Sequence, residues 1–106
     1  MPLPTAMYHL CMAAYIIAQV KINDPGRYED YRRMVPASLE AHGGKFIVRG
    51  GHVEPLEGDW KPPRLVVLEF PSAAAARGWW ESDDYAEAKA LRQAIAETQM
   101  LIVEGV

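Results

Sequence analysis

The chain of 106 residues is 50% hydrophobic and 24% charged, too apolar for a disordered polymer and of the length of one ordinary domain. Its formal charge of -3, from 14 acidic against 11 basic residues, offers no general attraction to nucleic acid or to an anionic membrane. A lone cysteine, Cys11, excludes an internal disulfide and a cysteine metal cluster, and fits a cytoplasmic protein.

Residues 1–11 (MPLPTAMYHLC) have neither the basic leader nor the long apolar core of a signal peptide. A second methionine, Met12, opens the stretch where regular structure begins. Residues 1–11 are therefore expected to be a loose extension, or the product of an upstream start, and residues 12–106 a single domain. No run approaches the roughly 20 apolar residues of a membrane-spanning helix.

AYIIAQVKI, from Ala14 to Ile22, alternates as a strand, with Ile16, Ala18, Val20 and Ile22 on one face. Asp24 and Pro25 then provide an N-cap and a first helical residue, and Tyr28, Tyr31, Val35 and Leu39 follow helical spacing. Pro36 interrupts that pattern and should kink or split the helix before Gly43 and Gly44 end it. KFIVRG is a second strand, and RLVVLEFP a third and more apolar one. Ser72 caps a short helix bearing Ala76, Trp79 and Trp80. Ser82 caps another, whose Tyr85, Ala88, Leu91 and Ile95 are spaced for burial. QMLIVEGV, from Gln99, is the closing strand.

Strand, helix, strand, strand, helix, strand is the α+β, ferredoxin-like βαββαβ order. It implies a four-stranded antiparallel sheet with helices on one face and the first and third strands central. If Ile16, Val20, Val48, Val66 and Leu68 face the helices, the other face carries Tyr15, Ile17, Gln19, Ile47, Arg49, Leu65, Val67 and Glu69, with Ile102 and Glu104 from the last strand. Such a patch requires cover. Pairing of two chains through this face as a dimeric α/β barrel supplies it, with Arg49 against Glu69 or Glu104 inside.

MAAYIIAQVKINDPGRYEDYR, AHGGKFIVRGGHVEPLEGDW, PRLVVLEFPS, ARGWWESDDYAEAKALR and LIVEGV together resemble the family catalogued as domain of unknown function 1330. That family looks like a branch of the dimeric α/β barrel superfamily, which includes cofactor-free monooxygenases of antibiotic biosynthesis, haem-degrading enzymes and muconolactone-isomerase-like proteins. The resemblance implies the fold and the homodimer. It carries over no reaction.

Two residues are candidates for catalysis. His42, about one turn beyond Leu39, is either a helix-end histidine serving the last carbonyls or a general base at the rim of a pocket between helix and sheet. Arg49, on an otherwise apolar strand, is either half of an ion pair across the dimer or a clamp for a carboxylate or enolate. Glu69 and Glu104 are strand acids suited to structural pairing, Glu69 also to holding substrate. Tyr31, Trp79 and Tyr85 supply aromatic surface for the core and for a pocket that takes a flat ligand. The thirteen residues from Gly51 to Pro63 are long for a hairpin, and Glu57, Asp59 and Trp60 are read as loop residues that contact the partner chain.

His9, His42 and His52 have no paired-ligand spacing, so no metal site is expected. No glycine-rich phosphate loop or nucleophile elbow occurs. No cofactor is expected; a haem, the weakest alternative, would need His42 or His52 as its axial ligand. The sequence thus points to a cytoplasmic homodimer acting without cofactor, as a monooxygenase- or isomerase-like enzyme, on a small organic compound. The alternative is a non-catalytic module that binds a small molecule or another protein, with no role for nucleic acid or membrane.

Overall fold

The computed structural model describes residues 12–106; the extension expected over residues 1–11 lies outside them. Seven elements follow one another: β1 (Ala14–Ile22), α1 (Pro25–Glu40), β2 (Lys45–Arg49), β3 (Leu65–Phe70), α2 (Ala73–Glu81), α3 (Asp83–Ile95) and β4 (Ala96–Glu104). The strands form one antiparallel sheet in the order β2-β3-β1-β4. The fold is ferredoxin-like, with β1 and β3 at its centre.

Each helix starts where a side-chain oxygen satisfies a backbone N–H that has no partner of its own. Asp24 Oδ1 accepts from the Arg27 N–H at 3.1 Å, Ser72 Oγ from Ala75 at 3.1 Å, and Ser82 Oγ from Tyr85 at 3.2 Å. The Ser82 hydroxyl also donates to the Trp79 carbonyl at 2.7 Å. One serine therefore closes α2 and opens α3.

The helices bury their apolar stripe on one sheet face. Ile16, Val20, Leu39, Phe70, Trp79 and Tyr85 are almost wholly enclosed. Trp79 stacks on Tyr85 at 3.9 Å between ring centres and donates through Nε1 to the Ser38 hydroxyl at 3.0 Å. Among the described residues no helix is long and apolar enough to cross a membrane.

Four local features depart from what the sequence pattern implies. Pro36 neither splits α1 nor ends it, since the helix runs unbroken from Pro25 to Glu40. Proline has no N–H to give the carbonyl four residues back, that of Arg32; Arg49 Nη2 donates to this carbonyl instead, at 2.9 Å. β4 begins at Ala96 rather than Gln99, because Ala96–Thr98 continue the ladder against Ile22–Val20.

In β2 the register slips between Phe46 and Val48, a bulge that sets Phe46 opposite Leu68, Val48 opposite Val67 and Arg49 opposite Val66. An odd residue in a strand of period two transfers all that follow to the other face. Val48 therefore faces away from the helices, and Arg49 faces toward them, the reverse of the simple alternation. In β4, Ile102 pairs with Ile16 and Glu104 with Ala14, which puts both on the helix side. Leu101 and Val103 occupy the outer face in their stead.

The outer face thus carries Tyr15, Ile17, Leu65, Val67, Val48, Leu101 and Val103. Its flanks are open: Val48 is 37% exposed, Val103 43% and Leu101 56%. Lys45 and Glu69 form an ion pair of 3.5 Å on the same face.

Candidate anion-binding cleft

Between α1, α3 and the inner face of the sheet lies a cleft holding about 460 Å³ of space free of atoms, counting the part open to solvent. Most of its wall is apolar, from Ile16, Val35, Phe46, Val66, Leu68, Trp79 and Met100. Among the described residues its charged members are Arg32, Arg49, Arg64 and Arg92, and no acidic residue lines it. A buried arginine ordinarily has a carboxylate partner. Here, among the described residues, only Arg32 has one; Arg49 and Arg64 lie over aromatic rings and Arg92 meets a phenol.

Arg92 is the innermost. It is 5% exposed, on the stripe of α3 that also carries Tyr85, Ala88 and Ile95. Its Nε donates to the Tyr85 hydroxyl at 3.2 Å, and that hydroxyl lies 2.8 Å from the hydroxyl of Tyr31. Among the described residues no carboxylate pairs with it. Burial alone lowers its pKa, but the phenols of Tyr85 and Tyr31 outweigh this and leave it raised. Burial and the neighbouring Tyr85 hold the Tyr31 phenol far above the ordinary tyrosine range. This end of the cleft presents a cation beside a Tyr31 phenol that keeps its proton well above neutral pH.

The outer end gathers three arginines from different elements. Arg49 sits over the Phe46 ring at 4.2 Å and is tied to the α1 carbonyl described above. Arg64, from the segment before β3, lies over Tyr28 at 5.4 Å. Gly50 admits it: this glycine has φ of 74°, and a Cβ there would run into the Arg64 guanidinium. Arg32 reaches Glu29 at 3.0 Å. Desolvation by burial, then the nearby charges of Arg32 and Arg64, lower the pKa of Arg49.

Of the residues singled out from sequence, Tyr31, Arg49 and Trp79 line this cleft, and Tyr85 supports it from behind. His42 does not line it. Its Nε2 lies 3.1 Å from Asp84 Oδ2, bridging the end of α1 to the start of α3. Glu69 is on the outer face with Lys45 and Glu104 is on β4, at the far edge of the sheet from β2, so neither pairs with Arg49 within the chain. Glu57, Asp59 and Trp60 lie in the irregular segment between β2 and β3, exposed to solvent. Trp60 is 64% exposed and donates through Nε1 to Gln19 Oε1 at 2.6 Å.

Residues 13–106 match the family described as a domain of unknown function, DUF1330. The chain belongs to that family. No curated protein matches it. Among solved structures, the DUF1330 chain is similar to a protein of unknown function from Rhodopseudomonas palustris, with a TM-score of 0.72 and 20% identity over 99% of this chain and 95% of that one. It is also similar to a dimeric ferredoxin-like protein from Thermobifida fusca, at TM-score 0.58 and 18% identity over 94% and 96%. SnoaB, a cofactor-independent oxygenase from Streptomyces nogalater, matches at TM-score 0.56 and 12% identity over 87% and 90%. At these identities the likeness is one of fold.

Proposed function

We propose that this DUF1330 protein is a homodimer that takes a small organic anion into the cleft between its helices and its sheet. The observation that carries this is the lining itself: four guanidiniums, one of them almost fully buried, of which only Arg32 has a carboxylate partner among the described residues. Arginine forks suit carboxylates and enolates, and a low-dielectric wall strengthens the attraction. The hydroxyl pair of Tyr31 and Tyr85, which uses one O–H internally, leaves the other as a further donor beside Arg92.

The dimer is supported by the apolar outer face of the sheet and by the dimeric state named for the Thermobifida fusca protein. Leu56 and Trp60, 94% and 64% exposed, extend the apolar surface a second chain would cover.

The likeness to SnoaB favours a second reading, in which the bound compound reacts without a cofactor. A field of guanidiniums lowers the pKa of a bound enol and favours the enolate, the species from which either isomerisation or oxygenation proceeds. Among the described residues no histidine, carboxylate or lysine lines the cleft, so the cleft favours compounds acidic enough to ionise to water. His42, held against Asp84, then has a structural role.

Calorimetry with aromatic carboxylates and keto-enol acids, each beside its neutral amide or ether, tests the binding. The acids should bind and their neutral counterparts should not; equal binding of both would overturn the anion reading. Oxygen uptake and product analysis with the compounds that bind then test turnover.

A further inference from the structure

Building on the anion-binding reading, we propose that the ligand is a compact two-headed anion, a dicarboxylate with a flat or apolar body, held by Arg92 at one end and by Arg49 and Arg64 at the other. The guanidiniums fall into two groups by origin and by neighbour. Arg92 comes from α3 and contacts the Tyr85 and Tyr31 phenols. Arg49 and Arg64 flank the β2–β3 connection, and Arg49 meets the α1 backbone at Arg32.

Each group has unmet demand. Arg92 has no carboxylate among the described residues, and neither have Arg49 and Arg64; only Arg32 has one, in Glu29. The Nε of Arg64 is enclosed and makes no hydrogen bond, an orphan donor of the kind that native structures seldom leave. The same lining includes Val35, Phe46, Val66, Leu68 and Met100, which suits a hydrocarbon body. A ligand with one acidic group answers one end only. A ligand with two answers both, and the enclosed part of the cleft is tight, which favours a short, flat one.

The test measures binding of terephthalate, adipate, benzoate and phenyl phosphate to the full chain by calorimetry. Terephthalate or adipate should bind roughly tenfold to a hundredfold more tightly than benzoate, the return on one further charged hydrogen-bonding end. Arg64→Met and Arg92→Met should each reduce the dicarboxylate to the affinity of benzoate. Arg64 is only half-buried, so its substitution remains informative if Arg92→Met fails to fold. Benzoate binding as tightly as both dicarboxylates would overturn the two-headed ligand and leave the anion reading standing. Phenyl phosphate binding as tightly as terephthalate would also overturn it, in favour of one site for a doubly charged head. If none of the four binds, the anion reading falls and this inference falls with it.

Discussion

Replacing Arg92 by methionine should destabilise the empty protein. The guanidinium is 5% exposed and has no carboxylate partner among the described residues. Taking such an ion out of water is costly, but the phenols of Tyr85 and Tyr31 outweigh that cost and leave its pKa raised, so the fold holds the cation more firmly than water does. Its charge-assisted bond to the Tyr85 hydroxyl is worth about 1.5–3 kcal/mol. Methionine keeps most of the apolar stem, and the Tyr85 hydroxyl retains its bond to Tyr31, so the substitution orphans no oxygen and the loss should be about that of the one bond. That corresponds to a melting temperature lower by about 6 °C or more. Urea denaturation and thermal scans at one fixed protomer concentration measure this, because the proposed dimer would make apparent stability depend on concentration. A variant as stable as the parent, or more stable, would refute the reasoning and identify Arg92 as a residue held at the expense of stability, which is the mark of a binding group.

Tyr31→Phe tests the phenol pair. Because burial and Tyr85 raise the pKa of Tyr31, the folded chain holds this proton where the unfolded chain releases it. Stability from this group is complete below about pH 10 and falls by about 1.4 kcal/mol per pH unit above it; the phenylalanine variant should lose that slope in alkaline denaturation, and an unchanged slope would discount the burial argument. Gly50→Ala should cost about 1–2 kcal/mol from the left-handed backbone alone, read by urea denaturation, and should weaken anion binding as Arg64 is displaced. Leu101→Glu, on the outer face of the sheet, should shift the sedimentation mass toward the monomer and raise the dimer dissociation constant about tenfold or more. An undisturbed dimer would remove that face from the interface.

Much of the fold is legible because its signals are local. Asp24, Ser72 and Ser82 announce helix starts through chemistry confined to three or four residues, and the alternation from Ala14 to Ile22 marks the central strand. The cleft is less legible because three of its determinants are not local. Arg92 sits seven residues after Tyr85, a helical repeat that aligns it with the core stripe, but hydrophobicity alone favours Leu91 beside it. The position of Arg92 does contain the warning, a charged residue on a buried face. The bulge in β2 has no side-chain signature, because Phe46, Ile47 and Val48 are apolar on either face; it decides which way Arg49 points. Arg32 and Arg64 are ordinary surface arginines in the sequence, and only the turn at Gly50 and the packing of α1 against β2 bring them to one place. His42 shows the reverse case, a residue whose chemistry attracts attention while the fold assigns it to a junction between helices.

The proline in α1 has an effect beyond the helix that contains it. By leaving the Arg32 carbonyl without an internal donor, Pro36 creates a fixed acceptor facing the sheet, and Arg49 answers it through Nη2. That bond fixes the plane of the guanidinium and leaves its remaining N–H groups to other partners. Pro36 therefore works as an aiming device for a cation on a different element. An alanine at position 36 would return the carbonyl to the helix and release Arg49 to sample many orientations, so the cleft would keep its charge and lose its direction.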